Sequence, residues 1–278
     1  VQVLVPGITY DHTYWSLPDS AGNDRYSYTD AANRVGMATI ALDRIGIGQS
    51  SHPPGLAVTV DPNAYVVHQV IQTLRRGDSG LPRFAKVALV GHSYGSWTSW
   101  YEADRYHDVD VAIFSGADHG VDLASVPELM LFYPAPWDPQ LRGSVSDPTY
   151  LTSDPGQRNL LFHAPGWVDP KLLSYDEQYK QTTTVGELYN FPIILTRHLD
   201  IGVPAMVVMG ADDTLFCGGP VAPNCSTAAS VVNYERPYLG AASVDGFVLP
   251  GAGHDLNYAP NAGLWFSAAQ RWIADHTR

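Results

Sequence analysis

The stretch Val87–Gly95, VALVGHSYG, decides how the rest of the chain is read. Val87-Ala88-Leu89-Val90 is a short apolar run rich in β-formers and reads as a buried strand. The pentad Gly91-His92-Ser93-Tyr94-Gly95 follows, and Ser96–Ala103 reads as the start of a helix. Strand, sharp turn with a central serine, helix: this is the context in which G-x-S-x-G forms a nucleophile elbow. Strand and helix backbones approach closely in such a turn, so a side chain at Gly91 or Gly95 would collide. The competing reading is a glycine-flanked serine in an ordinary loop. Partners elsewhere in the chain separate the two.

Working outward, strands and helices alternate on both sides of the pentad. Val1–Val5, Met37–Leu42, Val109–Phe114, Ala205–Met209 and Ser243–Leu249 read as strands. Tyr28–Val35, Asp61–Arg76, Thr227–Tyr238 and Asn261–Thr277 read as helices. Ala64, Val67, Val70, Ile71 and Leu74 share one face of the second; Leu264, Ala268, Trp272 and Ile273 are expected to share the buried face of the last. This alternation predicts an α/β fold, a mostly parallel, doubly wound sheet covered on both faces. The rhythm is lost between about Gly120 and Arg197, where prolines, aromatics and short amphipathic pieces alternate. Residues 1–119 and 198–278 are therefore expected to form the core, and residues 120–197 an inserted, mainly helical cap.

Ligands bind beyond the carboxyl ends of the strands in such sheets. Ser93, Asp118, Asp213 and His254 each follow a predicted strand and so belong on that edge. Acyl transfer by serine needs a base, an acid that orients the base, and donors for the oxyanion. His254, in the glycine-flanked GAGHD loop after the last strand, is the candidate base. Asp213, three residues after Gly210, is the candidate acid; Asp212 beside it is better suited to capping the turn, and Asp118 is the runner-up. The order Ser93, Asp213, His254 is the order expected of this motif class. The oxyanion donors are expected to be the backbone N–H groups of Tyr94 and of Ile8, after the Pro6-Gly7 turn.

With 45% hydrophobic and 16% charged residues, the 278-residue chain can bury a core without relying on disulfides. A formal net charge of −12 argues against nucleic acid and anionic membrane surfaces, which attract basic patches. No stretch approaches the roughly 18 apolar residues of a membrane span. The two cysteines, Cys217 and Cys225, close the loop CGGPVAPNC. A disulfide in an oxidising, extracytoplasmic compartment is the favoured reading over two unpaired thiols, and two thiols alone give too few ligands for a metal site. No dinucleotide fingerprint is present, since Gly46-Ile47-Gly48 lacks the third glycine, and no cofactor is implied.

These residues resemble the α/β-hydrolase superfamily over essentially the whole chain: VLVPG after the first strand, DRIGIGQS after the second, GHSYG, GADD and GAGHD. GADDTLFCGG with Cys225 and PGAGHDLNYAP is similar to a subgroup of microbial hydrolases, several of them secreted. The chain departs from the family in carrying Pro6-Gly7 where members have His-Gly. Members also have one or two strands before the one that starts here, so upstream residues are expected in the native gene product. A serine at position 93 disfavours relatives that use aspartate as nucleophile.

The resemblance implies a serine hydrolase of an ester, lactone or thioester, and the aromatics of the expected cap suggest a fairly apolar small-molecule acyl substrate. Trp137, Phe162 and Trp167 of the cap are the candidate pocket residues. Three further readings share the fold. In one, the same triad carries out elimination, cyclisation or acyl transfer on a natural product. In another, a cap carboxylate (Glu128, Asp176 or Glu177) binds a free amine, as in an aminopeptidase. In the third, the fold is a non-catalytic binding protein.

Overall fold

A computed structural model describes residues 1–17, 25–125, 127 and 131–278. The apolar runs become strands: β1 (Gln2–Val5), β2 (Thr39–Ala41), β3 (Ala88–His92), β4 (Val111–Ser115), β8 (Pro204–Gly210) and β9 (Ser243–Leu249). Their order in the sheet is β2-β1-β3-β4-β8-β9, and every pairing is parallel. Parallel strands need crossovers, which here are α1 (Tyr28–Arg34), α2 (Val60–Arg76), α3 (Tyr94–Tyr106) and α8 (Ala228–Leu239); α9 (Gly263–His276) follows β9.

Side chains alternate across the sheet with period two, so each strand feeds two cores. Val3, Val5, Leu89, Ala112, Phe114, Val207 and Met209 pack with α2, α3 and α8 residues such as Ile71, Trp100 and Val231. Leu4, Val90, Val111, Ile113, Met206 and Val208 pack on the other face with Tyr28 of α1 and Trp265, Phe266 and Ile273 of α9. Burying one such aliphatic side chain stabilises the fold by about 1.5–3 kcal/mol. These continuous apolar strands therefore fix the two-sided covering.

Helix ends follow the local chemistry. Ser27 caps α1 by accepting from Asp30 N–H, and Thr227 caps α8 by accepting from Ser230 N–H. α2 stops at Gly77, whose φ of 74° is left-handed. Of the face expected for α9, Trp272 and Ile273 are buried and Ala268 is half-buried. Leu264 is exposed, and Trp265, Phe266, Ala269, Trp272 and Ile273 carry the buried stripe.

Between β4 and β8 the chain forms short helices α4 (Arg158–Phe162), α5 (Pro170–Gln178), α6 (Val185–Tyr189) and α7 (Phe191–Ile194). It also forms a small antiparallel sheet, absent from the sequence reading, of β5 (Phe132–Pro134), β6 (Tyr150–Ser153) and β7 (Thr183–Thr184). Among the described residues no helix is long and apolar enough to cross a membrane.

Candidate active site

β3 ends at His92, and Ser93 then takes φ 53° and ψ −125° before α3 begins. Positive φ at a non-glycine residue is strained and is held only where the surroundings enforce it. The enforcement is packing. A Cβ on Gly91 would lie 2.4 Å from Ser96 Cα, and one on Gly95 would lie 2.1 Å from Val5 O. Tyr94 opens α3, so its N–H has no intrahelical acceptor.

The loop after β8 turns Asp213 inward. Its Oδ1 accepts from Leu215 N–H (2.9 Å) and Phe216 N–H (3.3 Å), leaving Oδ2 3.0 Å from His254 Nδ1. Asp213 and His254 are both buried. Burial alone would push the His254 imidazole down. The Asp213 charge, its hydrogen bond and the charge of Asp255 outweigh burial and hold it above its ordinary value. The two alternative acids stand elsewhere. Asp212 is exposed. Asp118 is bonded to Gly120 N–H (2.6 Å), and burial, with Glu235 close by, pushes its carboxyl well above the usual range. No hydrogen bond joins Asp118 to His254 among the described residues; the imidazole is held by Asp213.

Gly7 is required by space. A Cβ there would sit 2.9 Å from Ser93 Cβ. Ile8 N–H donates to no backbone carbonyl of the described residues. The turn is held from beneath by the buried Arg44 of DRIGIGQS, whose Nε donates to Pro6 O (2.9 Å) and Nη2 to Gly7 O (3.0 Å). Its guanidinium lies 5.0 Å from the centre of the Tyr94 ring and pairs with the buried Glu187 of α6. Pro6 therefore serves through its carbonyl, which any residue at that position would supply.

The sequence profile described as "Alpha/beta hydrolase family" matches residues 2–265. The chain belongs to the alpha/beta hydrolase family. No curated protein matches it by sequence. Solved structures share its fold at low identity. A soluble variant of monoglyceride lipase from Saccharomyces cerevisiae superposes with a TM-score of 0.67 at 14% identity, over 99% of this chain and 86% of the lipase. The methylesterase protein MES16 from Arabidopsis gives 0.62 at 16%, over 98% of each chain. Tomato methylketone synthase I complexed with 2-tridecanone gives 0.65 at 11%, over 99% and 98%.

In this hydrolase, Ser93 and His254 open on one cleft. The rest of its lining is Ile8, Trp97, Val121, Ser125, Phe132, Leu161, Phe162, Phe191, Leu195, Leu215 and Phe216, so no charged side chain among the described residues faces it apart from the imidazole. Of the three candidate pocket residues, Phe162 lies on this wall. Trp137 and Trp167 do not. Trp137 is 71% exposed, and Trp167 packs over Gly251 outside the cleft. An aromatic residue in a proline-rich segment carries no periodicity that would fix which way it faces. Of the carboxylates considered for an amine, Asp176 is paired with Arg158 (2.7 Å), Glu177 accepts from Arg158 N–H, and Glu128 lies outside the described residues.

Cys217 and Cys225 form a disulfide that closes the loop after Asp213. Such a bond is consistent with an extracytoplasmic location. Three contributors were missed in the sequence: Arg44, His92 and Asp255. His92 and Asp255 flank the serine and the histidine in the quoted motifs. Polar residues adjacent in sequence to two candidate catalytic residues are the available signal.

Proposed function

We propose that this hydrolase cleaves a small carboxylic ester, lactone or thioester with a neutral, apolar acyl group. Ser93 attacks the carbonyl and gives its proton to His254, Asp213 orients and charge-balances His254, and water releases the acyl-enzyme. The N–H groups of Tyr94 and Ile8 receive the oxyanion, and residues 120–197 act as the cap over the cleft. One observation carries the reading: Asp213 Oδ2 meets His254 Nδ1 at 3.0 Å beneath an apolar cleft that Ser93 shares. Ser93 Oγ makes no hydrogen bond to a described residue, as is common where substrate has yet to tighten the site. The fold shared with a lipase and a methylesterase supports ester hydrolysis, and the uncharged wall supports an apolar acyl group.

The same wall favours a second reading, in which water is kept out and an internal group ends the reaction by elimination or acyl transfer. A fluorophosphonate tests the shared step. The wild type is expected to be labelled and Ser93→Ala to resist labelling; equal labelling of both would sink the serine mechanism. Mass spectrometry of products from a panel of esters and a lactone then separates the two endings, by whether water is added.

A further inference from the structure

The candidate nucleophile and base stand on strands that do not touch. β3 and β9 are separated by β4 and β8, three interstrand spacings or roughly 14 Å. No backbone ladder joins the elbow to the histidine loop, so the loop must lean across the sheet end and be held there. The residue before Ser93 and the residue after His254 make the join. His92 Nε2 lies 3.0 Å from Asp255 Oδ1, with both side chains fully buried. The other carboxylate oxygen of Asp255 accepts from the hydroxyl of Tyr10, two residues beyond Ile8. The His92 ring is fixed in turn by stacking on Tyr14, with centroids 4.4 Å apart and planes at 13°. Asp255 N–H donates to Phe162 O (2.9 Å), which ties the same point to the cleft wall.

We propose that Asp255 is a positioning residue that sets the separation of Ser93 and His254, by joining the elbow, the histidine loop and the oxyanion loop at one carboxylate. The proposal rests on the reading of Ser93 and His254 as nucleophile and base. A displacement of about 1 Å at a reacting centre costs on the order of 100-fold in rate, so a tether of this kind acts directly on turnover. It also acts through charge. Asp255 is among the groups that hold the His254 imidazole up, after Asp213. The other charged and titratable groups around it are His92, Tyr10, Tyr14 and Tyr258, and the buried Arg158–Asp176 pair with His163.

The test is the rate of Ser93 labelling by a fluorophosphonate, measured against pH in the wild type, Asp255→Asn and Tyr10→Phe. Asp255→Asn keeps the shape and removes the charge. Its labelling is expected to slow roughly 10- to 100-fold, with the acid limb moved to lower pH. Tyr10→Phe removes one hydroxyl and is expected to slow labelling by a smaller factor with the limb unmoved. A packing role alone would leave the limb of Asp255→Asn where it was. If Asp255→Asn fails to fold by circular dichroism, Tyr10→Phe decides: slower labelling supports the tether and an unchanged rate overturns it. A labelled wild type with Asp255→Asn labelled at the same rate and the same limb overturns this proposal alone. A wild type not labelled at Ser93 overturns the serine reading and this proposal with it.

Discussion

The floor and the wall of the cleft are built by different rules. The floor comes from the ends of β1, β3, β8 and β9 and is held by polar pairs: Asp213 with His254, Arg44 with Pro6 and Gly7, Asp255 with His92. The wall comes from α3, from the segment between β4 and β8 and from the loop after β8, and it is held by apolar contact, as where the Phe191 and Phe216 rings stand edge-on to Trp97. Polar geometry admits few substitutes, because a buried donor or acceptor left unmatched costs about 1–3 kcal/mol. Apolar packing admits many, provided volume is kept. Changes to the floor should therefore cost rate steeply, and changes to the wall should redistribute preference among substrates.

The largest expected effect is on the floor. Asp213→Asn keeps the volume but loses the charge and the tautomer control of His254. The rate of Ser93 labelling is expected to fall roughly 10³- to 10⁴-fold, about 4–5.5 kcal/mol of barrier. The pH profile should move as well. As the proposed base, His254 must be neutral to accept a proton, and its raised pKa is expected to place the acid limb of the wild type above the ordinary imidazole value of about 6.5. Activity rises as pH climbs through that limb. Without the Asp213 charge the proton is held less tightly, so the limb moves to lower pH even as the plateau drops. A plateau reduced less than about tenfold, measured by stopped-flow labelling across pH, would mean that the floor is as tolerant as the wall.

The disulfide lies where floor meets wall. Cys217 follows Leu215 and Phe216 of the wall and stands four residues after Asp213. Replacing both cysteines by serine is expected to cost roughly 2–3 kcal/mol, by the loop-closure argument for so short a loop. Thermal unfolding should then come roughly 5 °C earlier. The labelling rate should stay within about twofold, because Asp213 is fixed by Leu215 N–H and Phe216 N–H and not by the cross-link. A rate loss approaching that of Asp213→Asn would show that the cross-link holds the acid in place.

The same contrast explains what could be read from the sequence. GHSYG, GADD and GAGHD are legible because the strained turn and the strand-end loops restrict residue type and spacing together. The fold followed from the continuous apolar strands, which only a sheet covered on both faces can bury. On α9, Trp272 and Ile273 are buried as expected, but the stripe enters through Trp265 and Phe266 in place of Leu264, because the three are adjacent and apolar and a 3.6-residue period cannot choose among neighbours. Arg44 lay in a quoted motif, yet its job is to donate to two carbonyls far away in the chain, which no local pattern announces. His92 and Asp255 pair across β4 and β8, which lie between their strands, and no local pattern announces a contact of that range. The wall was legible as composition alone: Phe162 faces the cleft and Trp137 faces solvent, though both sit in aromatic, proline-bearing stretches.

The smallest effect separates wall from floor most sharply. Phe132 pairs with Ser153 across β5 and β6, is half-buried and lines the cleft without the ring contact to His254 that Phe162 and Phe216 make. Phe132→Ala opens room for two or three methylenes at about 0.8 kcal/mol each, part of which is lost to the collapse of neighbouring side chains. The ratio of kcat/KM for a decanoyl to that for an acetyl p-nitrophenyl ester is expected to rise roughly tenfold, about 1.4 kcal/mol, mainly through KM of the longer ester. A uniform loss across all chain lengths would give the opposite lesson. Phe132 would then support the geometry of Ser93 and His254, and the apolar wall would belong to the same constrained structure as the floor.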